Sequence, residues 1–466
     1  MPAGAVKNTA PGAANAAETR LRAEAHQALD AMLDAMLTEC NGAAPPTLRL
    51  LSRKMCEERP KLTSRCMQEI VEYILKKYTD VRRTPCPGCG TTLFRKRWEP
   101  KQLSTLLGPF VVKRPYFYCT RCAQGYCPLD EALEFATEVH QYDVQEKVTR
   151  IAAQVPYREA CQMVEELSGV KVQGHCSHET LNRLAEATTV EHVLPSAEEI
   201  ERRIDAARGD SPRKPVLVVA TDGAHTPTRP PGGRKTKRGK GSWREVKGVR
   251  FYLTDRKGRI TPLLSWHQIA DGEAIAPAIE LAAQRVPVEK VRVALVGDGA
   301  SWLWKAMEHA FPQATQVLDY YHCAERLWKV ATLQFPNEPE DAQHWVEAMI
   351  TRLSVDEGPE VIGDLLEILP RTHETAREIE KLANYLGDNI NRFNYDACTR
   401  KGLPIGSGGI ESANKYIVHT RMKRSGAWWL EPNCNTMLRV RCAIYNDTFD
   451  QVFNSYVASK RKTPRS

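Results

Sequence analysis

No stretch of this 466-residue chain approaches the roughly 20 consecutive apolar residues that cross a bilayer, which argues against a membrane span. The opening residues, MPAGAVKNTAPGAANAAET, lack a basic segment followed by an apolar core, so they do not read as a secretory leader. They read instead as a disordered Ala/Gly/Pro tail over 1–20. Without an export signal, the fourteen cysteines are expected to be reduced thiols or metal ligands and not a disulfide framework. No repeat of fixed period is visible, and no strong excess of one charge either: the net charge is +8 over the whole chain.

What is present is a globular composition, 42% hydrophobic and 26% charged, on a chain too long for a single core. The excess charge is local. Between Arg229 and Arg250, RPPGGRKTKRGKGSWREVKGVR holds nine Lys/Arg against one Glu, which is the entire net charge of the protein. A cationic Gly/Pro-rich segment of this kind points to a polyanionic partner, the plainer alternative being a solvated loop.

Along the chain, apolar periodicity predicts a helix from Glu18 to Thr38 and another at 64–80. A β-rich stretch follows, then the helical segments VQEKVTRIAAQ, YREACQMVEELSG and SHETLNRLAEATT. Pro156 opens the second of these, Gly169 closes it, and Ser177 is the expected N-cap of the third. From PVLVVATDGAHTP onward, strands and helices alternate: VLVVA, GVRFYLTD, RITPLLSWHQI, a helix, VRVALVGDGA, a helix, and TQVLDYYH leading into CAERLWKVATLQ. This order predicts a mixed α/β sheet. Residues 330–400 read as entirely helical, longer than a plain connection requires.

The strongest local signal is Cys86-Pro-Gly-Cys89 with Cys119-Thr-Arg-Cys122, two CxxC pairs at the spacing of a closed, structural zinc site. Cys127 is a bystander. The helix pair at 157–188 suits packing as well as a DNA-reading helix-turn-helix, because its turn, VKVQGHC, is long. Asp222 and Asp298 each end a buried apolar run, where an ionised group is costly unless paired or metal-bound. Either alone would read as a turn cap. Two of them, joined by Glu411 at the start of a late helix, form a set of carboxylates suited to hard cations such as magnesium. GGRKTKRGKGS is rejected as a P-loop, since Gly241 stands where Ser or Thr is needed. The glycines of GSGGIES could offer backbone N–H groups to a phosphate. Asp319 and His322 read as a helix cap or as support for a metal. Trp428 and Trp429 beside Arg421, Lys423 and Arg424 combine aromatics with cations as nucleic-acid grooves do, although a Trp pair also suits a core.

In order, ATDGAHTP, REVKGVRFYLT, VGDGASWLW, LDYYHCAERLW and IGSGGIESANKYIVHTRMKRSGAWW resemble bacterial insertion-sequence transposases of the DDE class. The closest branch is the ISKra type, related to the Mutator-like elements. The resemblance spans roughly everything after residue 80, including the zinc ribbon and the PYREACQMVEELSGVKV…SHETL segment. It implies an RNase H-like catalytic domain with Asp222, Asp298 and Glu411 on the first strand, the fourth strand and a late helix. These would hold two Mg²⁺, with Mn²⁺ as a substitute, while Cys86, Cys89, Cys119 and Cys122 hold Zn²⁺. Asp319 and His322 match the family's C/D-x-x-H signature and would support catalysis. DNA contacts are expected from Arg234, Lys235, Lys237, Arg238, Lys240, Arg244, Lys247, Lys415, Arg421, Lys423 and Arg424. Such contacts grip phosphates without reading sequence.

The implied protein is multidomain α/β. Its expected parts are a disordered tail (1–20), a helical N-terminal region (21–83), a zinc ribbon (84–130) and a helical, helix-turn-helix-like segment (131–192). The catalytic domain follows in two parts (193–329 and 403–452) around a helical insertion (330–402), and a basic tail ends the chain (453–466). The expected partner is double-stranded DNA, both element ends and target, bound in the bacterial cytoplasm by at least a homodimer. Two other classes remain open on the sequence: a non-catalytic DNA-binding protein derived from a transposase, and an RNase H-like nuclease. The helical insertion weighs against the latter.

Overall fold

A computed structural model describes residues 11–42, 45–75, 81–230, 241–255, 258–270 and 272–462. The chain divides into two compact units, Met1–Ala187 with Phe453–Ser466, and Thr188–Val452.

The first unit begins with two long helices, α1 (Pro11–Cys40) and α2 (Leu48–Leu75). Helix α1 therefore covers part of the span expected to be a tail. Helix α2 starts well before the expected second helix and runs through Pro60, a residue that normally ends or kinks a helix. Strands β1 (Arg83–Pro85), β2 (Thr92–Thr105), β3 (Gly108–Cys119) and β4 (Gln124–Tyr126) form an antiparallel sheet in sequence order. Leu103, Phe110 and Val112 of its long hairpin pack with Val71 and Leu75 of α2 and with Leu129 of α3 (Pro128–Ala132).

Three amphipathic helices follow, α4 (Tyr142–Ala152), α5 (Tyr157–Ser168) and α6 (Gly174–Glu186), around Val144, Val148, Cys161, Val164, Val170 and Val172. Pro156 and Gly169 bound α5 as expected, Gly169 in the left-handed region at φ 78°. Ser177 does not cap α6. That helix starts three residues earlier, at Gly174, and carries Ser177 fully buried in its first turns.

The second unit starts with α7 (Val190–Val193) and α8 (Ala197–Arg208). Its sheet contains β5 (Val216–Thr228), β6 (Ser242–Thr254), β7 (Ile260–Gln268), β8 (Arg292–Gly297) and β9 (Thr315–Leu318). The strand order is β7-β6-β5-β8-β9: the first three form an antiparallel meander, and β8 and β9 add in parallel. The central run Val216–Ala220 is buried along its length, as expected of a strand covered on both faces. Helices α9 (Ala276–Gln284) and α10 (Ser301–Ala310) make the crossovers, and α11 (Tyr320–Gln334) leaves β9. Tyr320 to His322, read from sequence as the end of a strand, already belong to α11, because Asp319 caps it.

Helices α12 (Pro339–Ser354), α13 (Gly358–Glu367), α14 (His373–Asp388) and α15 (Tyr395–Arg400) fill the predicted helical block. The chain then turns through Leu403–Ser407 into α16 (Gly408–Asn414), a π-helical turn (Lys415–His419) and α17 (Thr420–Met422). Fully buried Arg441, on α18 (Glu431–Tyr445), donates to the carbonyls of Tyr416 and Ile417 and so satisfies acceptors in the π turn. The last helix, α19 (Phe449–Lys462), replaces much of the expected basic tail. Its Tyr456 is fully buried, so this segment is held by packing and not left loose in solvent.

Candidate functional site

The acidic site grows out of the β5–β8 pair. Ala220 of β5 lies in register with Val296 of β8, and Asp222 and Asp298 each come two residues later. Parallel register thus brings two carboxylates to the same level, Asp298 just past the C-terminal end of β8 and Asp222 in the middle of β5, where its pairing with β8 stops. Gly223 N–H donates to Asp222 Oδ1 at 2.8 Å, and Asn414 Nδ2 donates to Asp222 Oδ2 at 2.7 Å. Burial pushes the Asp222 carboxyl above its ordinary value and Asp298 adds to the rise, against the lowering effects of the Gly223 bond, His322 and Asn414.

After Asp298 the chain must turn sharply. Gly299 does this at φ 99°, and an added Cβ there would meet the Tyr385 ring at 2.7 Å. That space lets Tyr385 of α14 donate its hydroxyl to the Asp298 carbonyl at 3.0 Å, so a helix of the insertion is fastened to the strand end.

Asp319, fully buried at the N-cap of α11, accepts from the N–H groups of Tyr321 (2.7 Å) and His322 (3.3 Å). Its other oxygen accepts from Ser407 N–H at 2.9 Å, tying the Gly-rich turn to α11. The His322 Nδ1 lies 3.3 Å from Asp319 Oδ2 as an ion pair, off the direction of a well-aligned hydrogen bond. Contact with Asp319 is the main cause that raises His322 to about 9, with burial opposing and the charges of Asp319, Asp222 and Asp298 adding to the rise. Burial works to raise Asp319, but the His322 and Ser407 contacts together hold it below its ordinary value. His322 is thus a cation at neutral pH in the field of Asp222 and Asp298.

Glu411 stands exposed on α16, three residues before Asn414. The helix is locked to the sheet by Arg250, buried on β6, which donates to the Gly409 carbonyl and to Ser412 Oγ. Arg250 was legible only as one cation of the basic segment, and its docking role depends on the fold. Asn414 and Tyr385 carry no sequence signal of their own. The ligand oxygens of Asp222, Asp298 and Glu411 do not all lie within 4.8 Å of one another. Among the described residues, the four predicted cysteines form the one such group.

In that group, Cys86 and Cys89 turn after β1, and Cys119 and Cys122 turn after β3. Sγ–Sγ distances are 3.9 Å for Cys86–Cys122 and 3.6 Å for Cys89–Cys119. Tetrahedral zinc with Zn–S bonds of about 2.3 Å requires about 3.8 Å between sulfurs, so the donors fit that ion. Cys127 is buried beside Arg114 and outside the group.

The expected DNA contacts divide. Arg234, Lys235, Lys237, Arg238 and Lys240 lie outside the described residues. Arg244 pairs with Glu431 at 3.3 Å and Lys247 with Glu245 at 2.9 Å. Lys415 and Lys423 are exposed and Arg424 is half-buried. Arg421 is a correction: it is buried, its guanidinium 4.9 Å from the Trp429 ring, and it belongs to the interior. Trp429 is also core, bridged to Thr228 at the edge of β5, whereas Trp428 is exposed. On α6 the sole cation, Arg183, is engaged by Glu138 and Glu179.

The sequence model of a family described as "Uncharacterised protein family (UPF0236)" matches residues 48–451. No curated protein matches the chain. Among solved structures, one titled "Drosophila P element transposase strand transfer complex" is similar over 72% of this chain and 88% of that one. The identity there is 12% and the TM-score 0.24.

Proposed function

The chain belongs to the Uncharacterised protein family (UPF0236), and we propose that it is a DDE-type DNA transposase that cleaves the ends of a mobile element and joins them to target DNA. The observation that carries this reading is the level pair Asp222 and Asp298 on adjacent parallel strands, with Glu411 on the helix whose Asn414 holds Asp222. The resemblance to ISKra-type and Mutator-like transposases expects acids on the first strand, the fourth strand and a late helix of an RNase H-like domain. In the observed sheet β5 is the first strand, β8 the fourth, and α16 follows the helical insertion.

The donor chemistry suits magnesium: carboxylate oxygens gathered where β8 ends beside β5, with the Asp222 carboxyl raised by burial so that a nearby cation favours its ionised form. Mg²⁺ held by Asp222, Asp298 and Glu411 would activate the attacking water or 3′-OH and neutralise the leaving oxygen. Asp222 is held by two hydrogen bonds before any substrate arrives. The charged His322, braced by Asp319, offers positive charge beside the two aspartates, where a phosphodiester would otherwise be repelled. Lys415, Lys423 and the cations of the run 234–240 would hold the DNA backbone without reading its sequence.

The test is cleavage and strand transfer on DNA carrying the ends that flank the reading frame. We expect Mg²⁺-dependent nicking and joined products from the wild type. Asp222→Ala, Asp298→Ala and Glu411→Ala should each lower cleavage by at least about a thousandfold while DNA binding changes little. Near-normal cleavage by any one of the three would remove that residue from the set. Nicking without joined products would favour the nuclease reading.

A further inference from the structure

We infer that Asn414 and His267 are positioning residues that fix the orientation of the Asp222 carboxylate through a gap left by Gly248. This inference rests on the proposed function of Asp222. Asp222, Gly248 and His267 are successive cross-strand partners on β5, β6 and β7, so they form one row across the sheet. Cross-strand partners share a face, and Asp222 and His267 flank a residue with no side chain. Asn414 enters that gap from α16.

The hydrogen bonds define a direction. Asn414 Nδ2 donates to Asp222 Oδ2 at 2.7 Å, so its Oδ1 is the atom 2.8 Å from His267 Nε2, and the imidazole is the donor there. Ser265 Oγ lies 3.3 Å from the other ring nitrogen, and Ser265, His267 and Asn414 are all buried. Burial lowers His267 to about 4, which keeps the ring neutral. A flipped Asn414 amide would face an N–H with an NH₂ and a carboxylate with an oxygen, losing both bonds. His267 therefore sets the amide, and the amide, with Gly223 N–H on the other oxygen, sets the carboxylate plane.

Gly248 is what makes room. A Cβ there would lie 2.6 Å from His267 Nε2 and 3.2 Å from Asn414 Oδ1. The first is closer than real Cβ contacts come, and the obstructing atoms belong to a buried ring and not to a flexible tip. Any side chain at this position therefore displaces the relay. Residues that orient a metal-binding carboxylate through a second hydrogen bond typically change metal affinity or activity about 10- to 100-fold when removed.

The experiment is calorimetric titration of Mn²⁺ into the zinc-loaded full-length chain without DNA, alongside cleavage rates and melting curves. Asp222→Ala should abolish the binding heat. Asn414→Leu, His267→Ala and Gly248→Ala should weaken Mn²⁺ binding about 10- to 100-fold with melting still cooperative. His267→Gln, which keeps a donor at that position, should recover part of the loss, as a purely structural role would not demand. If Asn414→Leu does not fold, Asn414→Ser is read in its place. Wild-type-like affinity in the Asn414 and Gly248 variants, with Asp222→Ala inactive for binding, would overturn the relay and leave the proposed function standing. Undiminished binding by Asp222→Ala would overturn both.

Discussion

His322 shows how one side chain carries information on both stability and chemistry. Its folded value of about 9 lies above its ordinary 6.5, so the protonated form is bound more tightly by the native state. The stabilisation is complete below about pH 6.5 and is lost as pH rises through about 9. The wild type is expected to lose melting temperature across that window, and His322→Asn should lose less. Parallel pH–melting profiles would show the charge to be unimportant if their slopes were equal. At this scale the sequence was readable where a residue type was itself unusual for its place, as with Asp222 and Asp298 at the ends of apolar runs. It was silent about Asn414, because a lone Asn in a helix has no pattern, and its meaning comes from the strand 192 positions upstream that it touches.

At the scale of elements, the thiol end of the zinc ribbon illustrates a region whose own apolar content is small. Beside the thiols, its cluster contains Leu93 and Phe117 as the buried apolar side chains, with Val81 and Tyr126 partly buried. So few groups cannot hold a hairpin turn pair by burial alone, and metal ligation is expected to supply the difference. We expect one zinc per chain by elemental analysis. Cys86→Ser or a strong chelator should remove it and open the thiol turns at 84–93 and 117–126 to protease while Thr188–Val452 stays protected. A ribbon equally resistant without zinc would show the thiols to be merely buried. The CxxC pairs were legible because ligand spacing is a local property. The π turn after Asn414, the passage of α2 through Pro60 and the early start of α6 were not. Each is decided by packing that outweighs local preference.

For the molecule as a whole, the charge distribution is the feature with a measurable consequence. Five of the cations between Arg229 and Arg250, namely Arg234, Lys235, Lys237, Arg238 and Lys240, lie in one short run. Of the other four, Arg229 is exposed, whereas Arg250 is committed to α16 and Arg244 and Lys247 pair with acidic partners. Replacing the five by Gln should weaken binding to DNA of any sequence. It should also reduce the slope of log affinity against log salt by up to about 0.9 for each phosphate left unneutralised. An unchanged slope would assign the run to a solvated loop. The same accounting explains why the set of basic residues expected from sequence was too long: charge type is visible in sequence, but whether a guanidinium faces solvent, a carboxylate or a tryptophan ring is not.

The sequence by itself determined which segments alternate as strands and helices, where a helical block interrupts them, which four thiols share a metal spacing and which acids end buried runs. These follow from composition and periodicity within a few residues of each position. Only the tertiary structure decided that Ala220 and Val296 share a register and so level the two aspartates. It also decided that Arg421 and Arg250 are interior, and that Gly248 leaves the space through which His267 and Asn414 reach Asp222. Those outcomes depend on contacts between residues far apart in the chain, where strand pairing and close packing, not local preference, set which atoms meet.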